Sequence, residues 1–459
     1  MRKHLSTLAL SISFLLSAHG TQSMAQSNPT FMQLGRAKSA LYKPDSGPEP
    51  HVGIIVMHRE SNYLNNVACG EFAKRGFLVL CMNSRFENSE SSVKWELIPL
   101  DVAEGVNYFK KQLGTNGKII LYGHSGGGVT MSFYQAVAEN GPAVCQGTNK
   151  LVQCGNDLKG LTPAHGVILS DGHPGNPILR LRSVNPAIID EHTGRVDPKL
   201  DPFSVKNGFD PNGPSQYSEA FKKAYFTAQS ARMNRLIDVA LRQLKIIEAG
   251  KDVYSDDAPF NIIGFDNARL LSLDSSIRHT TVQPEKLLKN DATVVKQLVE
   301  SVSPPRPELA KLNRTFGEGA RGGLTIRSFL SSNAIRSTNS MDEKQIDLCS
   351  TNNSTPCMLQ SVTVPLLAVA HQASFSESDP GSRVQLLELK EHRQRLHRRR
   401  RLDDQHRRLH QLRETRVGIC QRKKELFRLY GKVDQREVLK WQIYDSQFSR
   451  LDHITGTAR

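Results

Sequence analysis

Residues 118–134 leave the chain less choice than any other segment. An apolar run, Lys118-Ile119-Ile120-Leu121-Tyr122, meets Gly123-His124-Ser125-Gly126-Gly127-Gly128, and Val129-Thr130-Met131-Ser132-Phe133-Tyr134 follows. The first run reads as a buried strand and the last is compatible with a helix. Between them a serine stands at the apex of a sharp turn, with glycine two residues to either side. Such a unit strains the serine backbone and holds its hydroxyl clear of the sheet. Only very small residues fit at Gly123 and Gly127, where strand and helix nearly touch. Ser125 is therefore a candidate nucleophile toward a carbonyl carbon. The N–H of Gly126 is a candidate donor to the oxygen that becomes negative. A turn that only packs well, or one that holds a phosphate at a helix N-terminus, is the competing reading. The nucleotide-phosphate pattern Gly-x-x-x-x-Gly-Lys-Ser/Thr is not found here, which disfavours the second.

Five short apolar runs, 52–58, 77–82, 118–122, 166–170 and 362–370, read as buried parallel strands. Amphipathic helices separate the first three; Val102, Val106, Phe109 and Leu113 share one helix face before the strand that carries the serine turn. This alternation predicts an α/β fold, a doubly wound and mostly parallel sheet. Helices on both faces explain strands that are apolar throughout. Between 176 and 360 the pattern changes. Pro, Gly, Asn and Asp dominate 174–215, and a long helix is expected next, with Phe221, Tyr225, Ala228, Leu236, Ala240 and Leu244 as its packing stripe. Asp201, Asp210 and Asp257 do not have the spacing of a calcium loop and read as turn residues. The expected role of 176–360 is an inserted, largely helical cap over the carboxyl ends of the strands, where open α/β sheets bind ligands.

The chain opens with Met1-Arg2-Lys3-His4, an apolar stretch over 8–18 and Ser23-Met24-Ala25. That is the pattern of a secretory signal peptide cleaved after Ala25, and it predicts a secreted or periplasmic protein. The stretch is too short to span a membrane, and no later segment reaches spanning length. An oxidising compartment suits the cysteines: Cys145 with Cys154 and Cys349 with Cys357 could each close a short loop, while Cys69 and Cys81 flank a predicted helix–strand turn and could stay reduced and buried; sequence alone does not fix the pairings. The expected division is a signal peptide (1–25), a core (26–175 and 361–382) interrupted by the cap (176–360), and a basic tail (383–459).

On the strand order and the Gly-His-Ser-Gly-Gly turn, residues 26–370 resemble an α/β-hydrolase of the secreted bacterial esterase- or lipase-like kind. The resemblance implies a Ser–acid–His triad in that chain order, with Ser125 as nucleophile. Histidine removes the serine proton and the carboxylate holds the imidazole in the right tautomer. It also implies a second oxyanion N–H from the loop after the first quoted strand. That loop reads Met57-His58-Arg59-Glu60 and lacks the usual His-Gly-Gly, so Arg59 or Glu60 supplies the donor. Asp171, in Ser170-Asp171-Gly172-His173-Pro174, ends an earlier strand than the one expected to precede the acid. It is the candidate acid of a variant arrangement or a residue capping a turn, and His173 reads as a pocket-rim or turn residue. The implied substrate is a small molecule with a carboxylic ester or similar acyl bond. A cap without a long apolar lid disfavours a lipase. No cofactor and no metal are implied, no specific nucleic acid is expected as partner, and oligomeric state is left open.

After about residue 370 the pattern breaks. Residues 383–428 hold 16 Lys and Arg against 6 Asp and Glu, ten of the formal +15. One reading is an arm that binds an anionic polymer, and another is a solvated tail. The genetic code offers a third. Dropping one nucleotide from codons for residues 419–439 restricts each new codon: Cys420-Gln421 permits only Ala or Val, and Lys423-Lys424 only Lys or Arg. The permitted strings include Tyr-Ala-Asn-Val-Lys-Lys-Asn-Tyr-Phe-Asp-Tyr-Met-Ala-Lys-Trp-Ile-Asn-Ala-Lys-Phe, and Leu439-Lys440 then permits a stop. Its aromatic residues recur at helical steps, resembling the closing helix of an α/β-hydrolase, and the original frame offers nothing comparable. On this reading the chain is the catalytically inactive product of a frameshifted hydrolase gene. His371, His392, His397, His406 and His410 are then accidents of translation, and none is assigned as the base.

Overall fold

The computed structural model describes residues 28–369, apart from positions 267, 275, 278, 281–283, 289–292, 299, 302–306 and 308–322. The expected signal peptide (1–25), His371 and the basic tail (383–459) lie outside the described residues.

Strands β1 (Thr30–Leu34), β2 (Ala37–Tyr42), β3 (Val52–His58), β4 (Leu78–Asn83), β5 (Lys118–His124) and β6 (Gly166–Ser170) join a final strand in one seven-stranded sheet. That strand, β13 (Leu366–Val369), lies beside β6, giving the order β1-β2-β4-β3-β5-β6-β13. Pairing is parallel from β4 to β13 and antiparallel on both sides of β2. The four strands expected over 52–170 form where the apolar runs lie. The run at 362–370 shrinks to β13. The hairpin β1–β2 was not expected, because β1 is largely exposed and carries no apolar run.

Helices α1 (Val67–Ala73), α2 (Ile98–Leu113) and α3 (Gly126–Asn140) cover the sheet. The stripe on α2 behaves as its spacing demands: Val102, Val106 and Phe109 are fully buried in the cluster that holds Ile55, Met57 and Leu121. On the other face α1 packs Ala68 and Phe72 against Ile54, Val79 and Tyr122. There the structure corrects the expectation for two cysteines. Cys69 and Cys81 form a disulfide, because α1 lies directly on β4 and brings their Cα atoms to 6.2 Å. Cys145–Cys154 and Cys349–Cys357 are also bonded.

Between β6 and β13 the chain leaves the sheet for nearly two hundred residues. This excursion holds α4 (Asn176–Leu181), the long α5 (Glu219–Glu248), α6 (Ile326–Ser332) and α7 (Thr355–Met358). It also holds three two-stranded pairs. These are β7 (Pro259–Asn261) with β12 (Gly323–Thr325), β8 (His279–Thr280) with β11 (Glu300–Ser301), and β9 (Glu285–Leu288) with β10 (Val294–Gln297). The helical content expected of this region therefore resides mainly in α5. Ser218 caps α5 by accepting from the Phe221 N–H. Its inward stripe, with Met233, Leu236, Ile237 and Ala240, packs on Ile178, Leu181, Phe265 and Phe329 as a second apolar cluster. Asp201, Asp210 and Asp257 each accept a nearby backbone N–H and serve turns and caps. Among the described residues no group of side chains is placed to hold a metal ion, and no helix is long and apolar enough to cross a membrane.

Candidate active site

β5 is buried from Ile119 to Gly123 and ends at His124, and the chain then reverses into α3 within one residue. That residue is Ser125, at φ 52° and ψ −121°. Among the described residues only Asn88, Ser125 and Asp171 combine a side chain with positive φ. Such a conformation costs about 1–3 kcal/mol and persists only where the surroundings enforce it. Here the enforcement is close approach. A Cβ on Gly123 would lie 2.2 Å from the Gly127 carbonyl oxygen, and one on Gly127 would lie 2.5 Å from that of Met57. Ser125 N–H donates to the Ser170 carbonyl at 3.0 Å, which locks the turn to the end of β6.

Asp171 follows at once, at φ 45°, its N–H bonded to the Val369 carbonyl at 2.9 Å. Two strained residues with polar side chains thus stand at the carboxyl ends of adjacent parallel strands. The structure brings Ser125, Gly126 and Asp171 to one edge of the sheet, as their order along the strands requires.

β3 contributes the third side. Its last residue is His58, and the loop that follows carries Arg59 and Glu60. The Arg59 side chain is buried among acidic and amide groups. It meets Glu60 at 2.6 Å and Glu90 at 2.9 Å, and the Asn176 side-chain oxygen accepts from both of its terminal nitrogens at 2.7 and 2.9 Å. Arg180 continues the network to Glu90 and Asp266. The group expected to act from Arg59 is its backbone N–H. The Glu60 N–H, the other candidate donor, turns toward Nδ1 of His58 at 3.5 Å. Burial pushes the Glu60 carboxyl up, but Arg59 and the His58 and His173 rings pull harder, and the net shift is downward. Glu60 is a fixed negative charge under the site.

Two histidines complete the edge. His58 and His173 are both buried, and a Cβ on Gly126 would lie 2.7 Å from Nε2 of His58 and 3.4 Å from Nε2 of His173. His173 was expected on a rim or in a turn. It does sit in the turn after β6, inside the site. His58 carried no expectation of a role; its position as the last residue of β3 was the signal that could have found it.

No sequence-family profile matches the chain, and no curated protein matches it. Solved structures with local similarity include an esterase B from Lactobacillus rhamnosis (17% identity, TM-score 0.25, covering 31% of this chain and 46% of that one). A highly thermostable carboxyl esterase from Bacillus coagulans shares 14% identity at TM-score 0.23, over 32% of this chain and 45% of that one. An α/β serine hydrolase without lid from Xanthomonas campestris shares 15% at TM-score 0.24, over 33% and 63%. The chain thus spans less than two thirds of the length of each. Its own strand order, with the single antiparallel β2 and a sharp serine turn between β5 and α3, is the architecture of an α/β-hydrolase.

Proposed function

We propose that this chain is a secreted serine hydrolase that cleaves a carboxylic ester or similar acyl bond of a small molecule. The observation that carries the reading is Ser125 at φ 52°, pinned between β5 and α3 and bonded through its N–H to the end of β6. Nothing in packing asks for a serine there, whereas a nucleophile needs that exposure. In this reading Ser125 Oγ attacks the acyl carbon, and the N–H groups of Gly126 and Arg59 receive the developing oxyanion. Asp171 is the acid that orients the base histidine. Three disulfides fit an oxidising compartment. The base histidine belongs, by chain order, to the residues after β13.

A fluorophosphonate probe tests the reading. The expected result is covalent labelling of the wild-type chain that Ser125→Ala abolishes, with ester turnover lower by about 10⁴-fold or more. Labelling that survives in Ser125→Ala, or labelling absent from the chain in both reading frames, would overturn it. The frame itself supports a second reading, an inactive translation product, carried by the hydrolase-like helix that the shifted codons permit. The nucleotide sequence from codon 370 to codon 439 separates the two. Stops throughout the shifted frame leave the written tail as the native one; an open shifted frame places the base histidine in the alternative segment. If the tail is native, retention on heparin that is lost on deleting 383–428 would identify it as an anionic-polymer arm.

A further inference from the structure

His58 and His173 converge on one point, the space over the Gly126 Cα, and hydrogen bonds at the far nitrogen of each ring decide what they do there. Nδ1 of His58 accepts from the Ser61 N–H at 3.2 Å, with the Glu60 N–H also turned toward it. Nδ1 of His173 accepts from the Gly175 N–H at 3.1 Å. A ring nitrogen that accepts carries the lone pair, so the proton of each neutral ring resides on Nε2. The Glu60 carboxylate, 3.3 Å from Nδ1 of His58, competes for that nitrogen, but an Nδ1–H donated to it would leave the Ser61 N–H without its acceptor. In every arrangement that satisfies the backbone donors, both rings present N–H toward Gly126.

We propose that His58 and His173 are side-chain oxyanion donors, a pair of imidazole N–H groups that grip the acyl oxygen beside the Gly126 N–H, and that neither ring is the general base. The assignment rests on the reading of Ser125 as nucleophile. A base must offer Nε2 as an acceptor to the serine hydroxyl, and here Nε2 is spent as a donor. His58 stands at the head of the loop that lacks the usual His-Gly-Gly, so its ring adds a donor to the Arg59 N–H, and His173 adds one from the turn after β6. It also explains why position 126 is glycine, since any Cβ there would press on Nε2 of His58. Both rings are held for the task. His58 stacks on Tyr63 with centroids 5.1 Å apart, and Tyr63 is anchored by Asn83 at 2.6 Å and His124 at 2.8 Å. The His173 carbonyl accepts from Thr355 Oγ1 at 2.9 Å, so the returning excursion braces that turn. Neither ring need be idle in the resting chain. An acyl oxygen arriving over Gly126 exchanges places with whatever each Nε2–H meets there.

Glutamine separates a donor from a base, because its amide N–H reaches about as far as Nε2 and cannot take up a proton. The experiment measures the rate of Ser125 phosphonylation by the fluorophosphonate probe in the full chain, with folding of each variant checked by its melting curve. The expected rates are about 10²-fold slower for His58→Ala and His173→Ala, and within about fivefold of wild type for His58→Gln and His173→Gln. Glutamine variants as slow as the alanine variants would make the ring a base and overturn the proposal. Alanine variants as fast as wild type would show that no acyl oxygen is gripped, and would overturn it equally. A wild-type chain silent to the probe sinks the hydrolase reading instead. In that event the ¹⁵N shifts of selectively labelled histidines still decide, with each ring assigned by the signal its glutamine variant loses. Nε2–H at both rings is expected, and a neutral Nδ1–H tautomer at either one overturns the clamp.

Discussion

The sheet and the excursion solve the problem of burial in opposite ways. Around the sheet, the large buried side chains are Trp95, Tyr134, Phe109, Phe133, Ile54, Ile55 and Met57, and dispersion with apolar burial does most of the work. In the excursion the largest fully buried side chains include Arg182 and Arg232, and Ser230, Ser328, Ser340, Asn352 and Asn353 are buried as well. Arg232 alone joins Glu191 at 2.9 and 2.6 Å, the Asn185 carbonyl at 2.6 Å and the Ile263 carbonyl at 2.7 Å. An apolar core tolerates small losses gradually, whereas a satisfied polar network fails when one member is removed. The difference teaches where each region is vulnerable: the sheet at points of steric contact, the excursion at single charges.

The largest effect is expected where backbone meets backbone. Gly123→Ala sets a methyl against the Gly127 carbonyl, with no flexible side chain to give way. We expect a loss above about 4 kcal/mol, read as failure to reach a cooperative thermal transition. A variant that melts like wild type would show that the serine turn is looser than its geometry. Next comes Arg232→Ala, which leaves the Asn185 and Ile263 carbonyls without their donor while the partly exposed Glu191 carboxylate turns to water. The expected cost is about 2–4 kcal/mol in urea unfolding. A cost below about 1 kcal/mol would erase the contrast between the regions.

The seam between them supplies the smallest effect and depends on pH. Glu96 is buried there, accepting from Ser331 Oγ at 2.6 Å and Asn352 Nδ2 at 2.9 Å, and burial pushes its carboxyl up from 4.5 to about 7. The folded chain holds this proton longer than the unfolded chain. Its stabilising contribution is complete below about pH 4.5 and declines as pH rises through about 7, by roughly 3 kcal/mol at 1.36 kcal/mol per unit. Lys150, pushed down to about 8 by burial, begins to lose its charge only at the top of that window. His165 is pushed below 6.5, also by burial, and slopes the other way, so only the difference between wild type and variant isolates Glu96. Glu96→Gln should flatten the difference in urea midpoint between pH 5 and pH 7.5. A variant with an unchanged slope would place the titration elsewhere.

The same contrast explains what the residues revealed before any coordinates. Val52–His58 and Gly166–Ser170 match their apolar runs residue for residue, because a strand buried on both faces has no polar position to blur its ends. The strain at Ser125 was legible from glycine spacing alone. Two things were not. The Cys69–Cys81 bond depends on α1 lying on β4, a relation no spacing encodes. The histidine pair depends on β3 and β6 ending at the same edge on either side of β5, so its members are far apart in sequence and close only once the sheet order is known. In the excursion, the sequence raised no expectation for Arg232, because buried cations are rare and sequence does not display their partners.

The three disulfides carry a consequence for how the chain is made. Their partners are separated by 12, 9 and 8 residues, whereas six cysteines allow about 15 pairings. Short segments close far more readily than long ones. Each correct bond can therefore form on local encounter alone while synthesis is still under way. The β6–β13 pairing, which joins Val167 to Leu366, must wait until the whole excursion has emerged. Oxidation should thus run ahead of sheet completion. A pulse of thiol-blocking reagent during refolding would catch chains with all three bonds made and the sheet's last strand not yet in place.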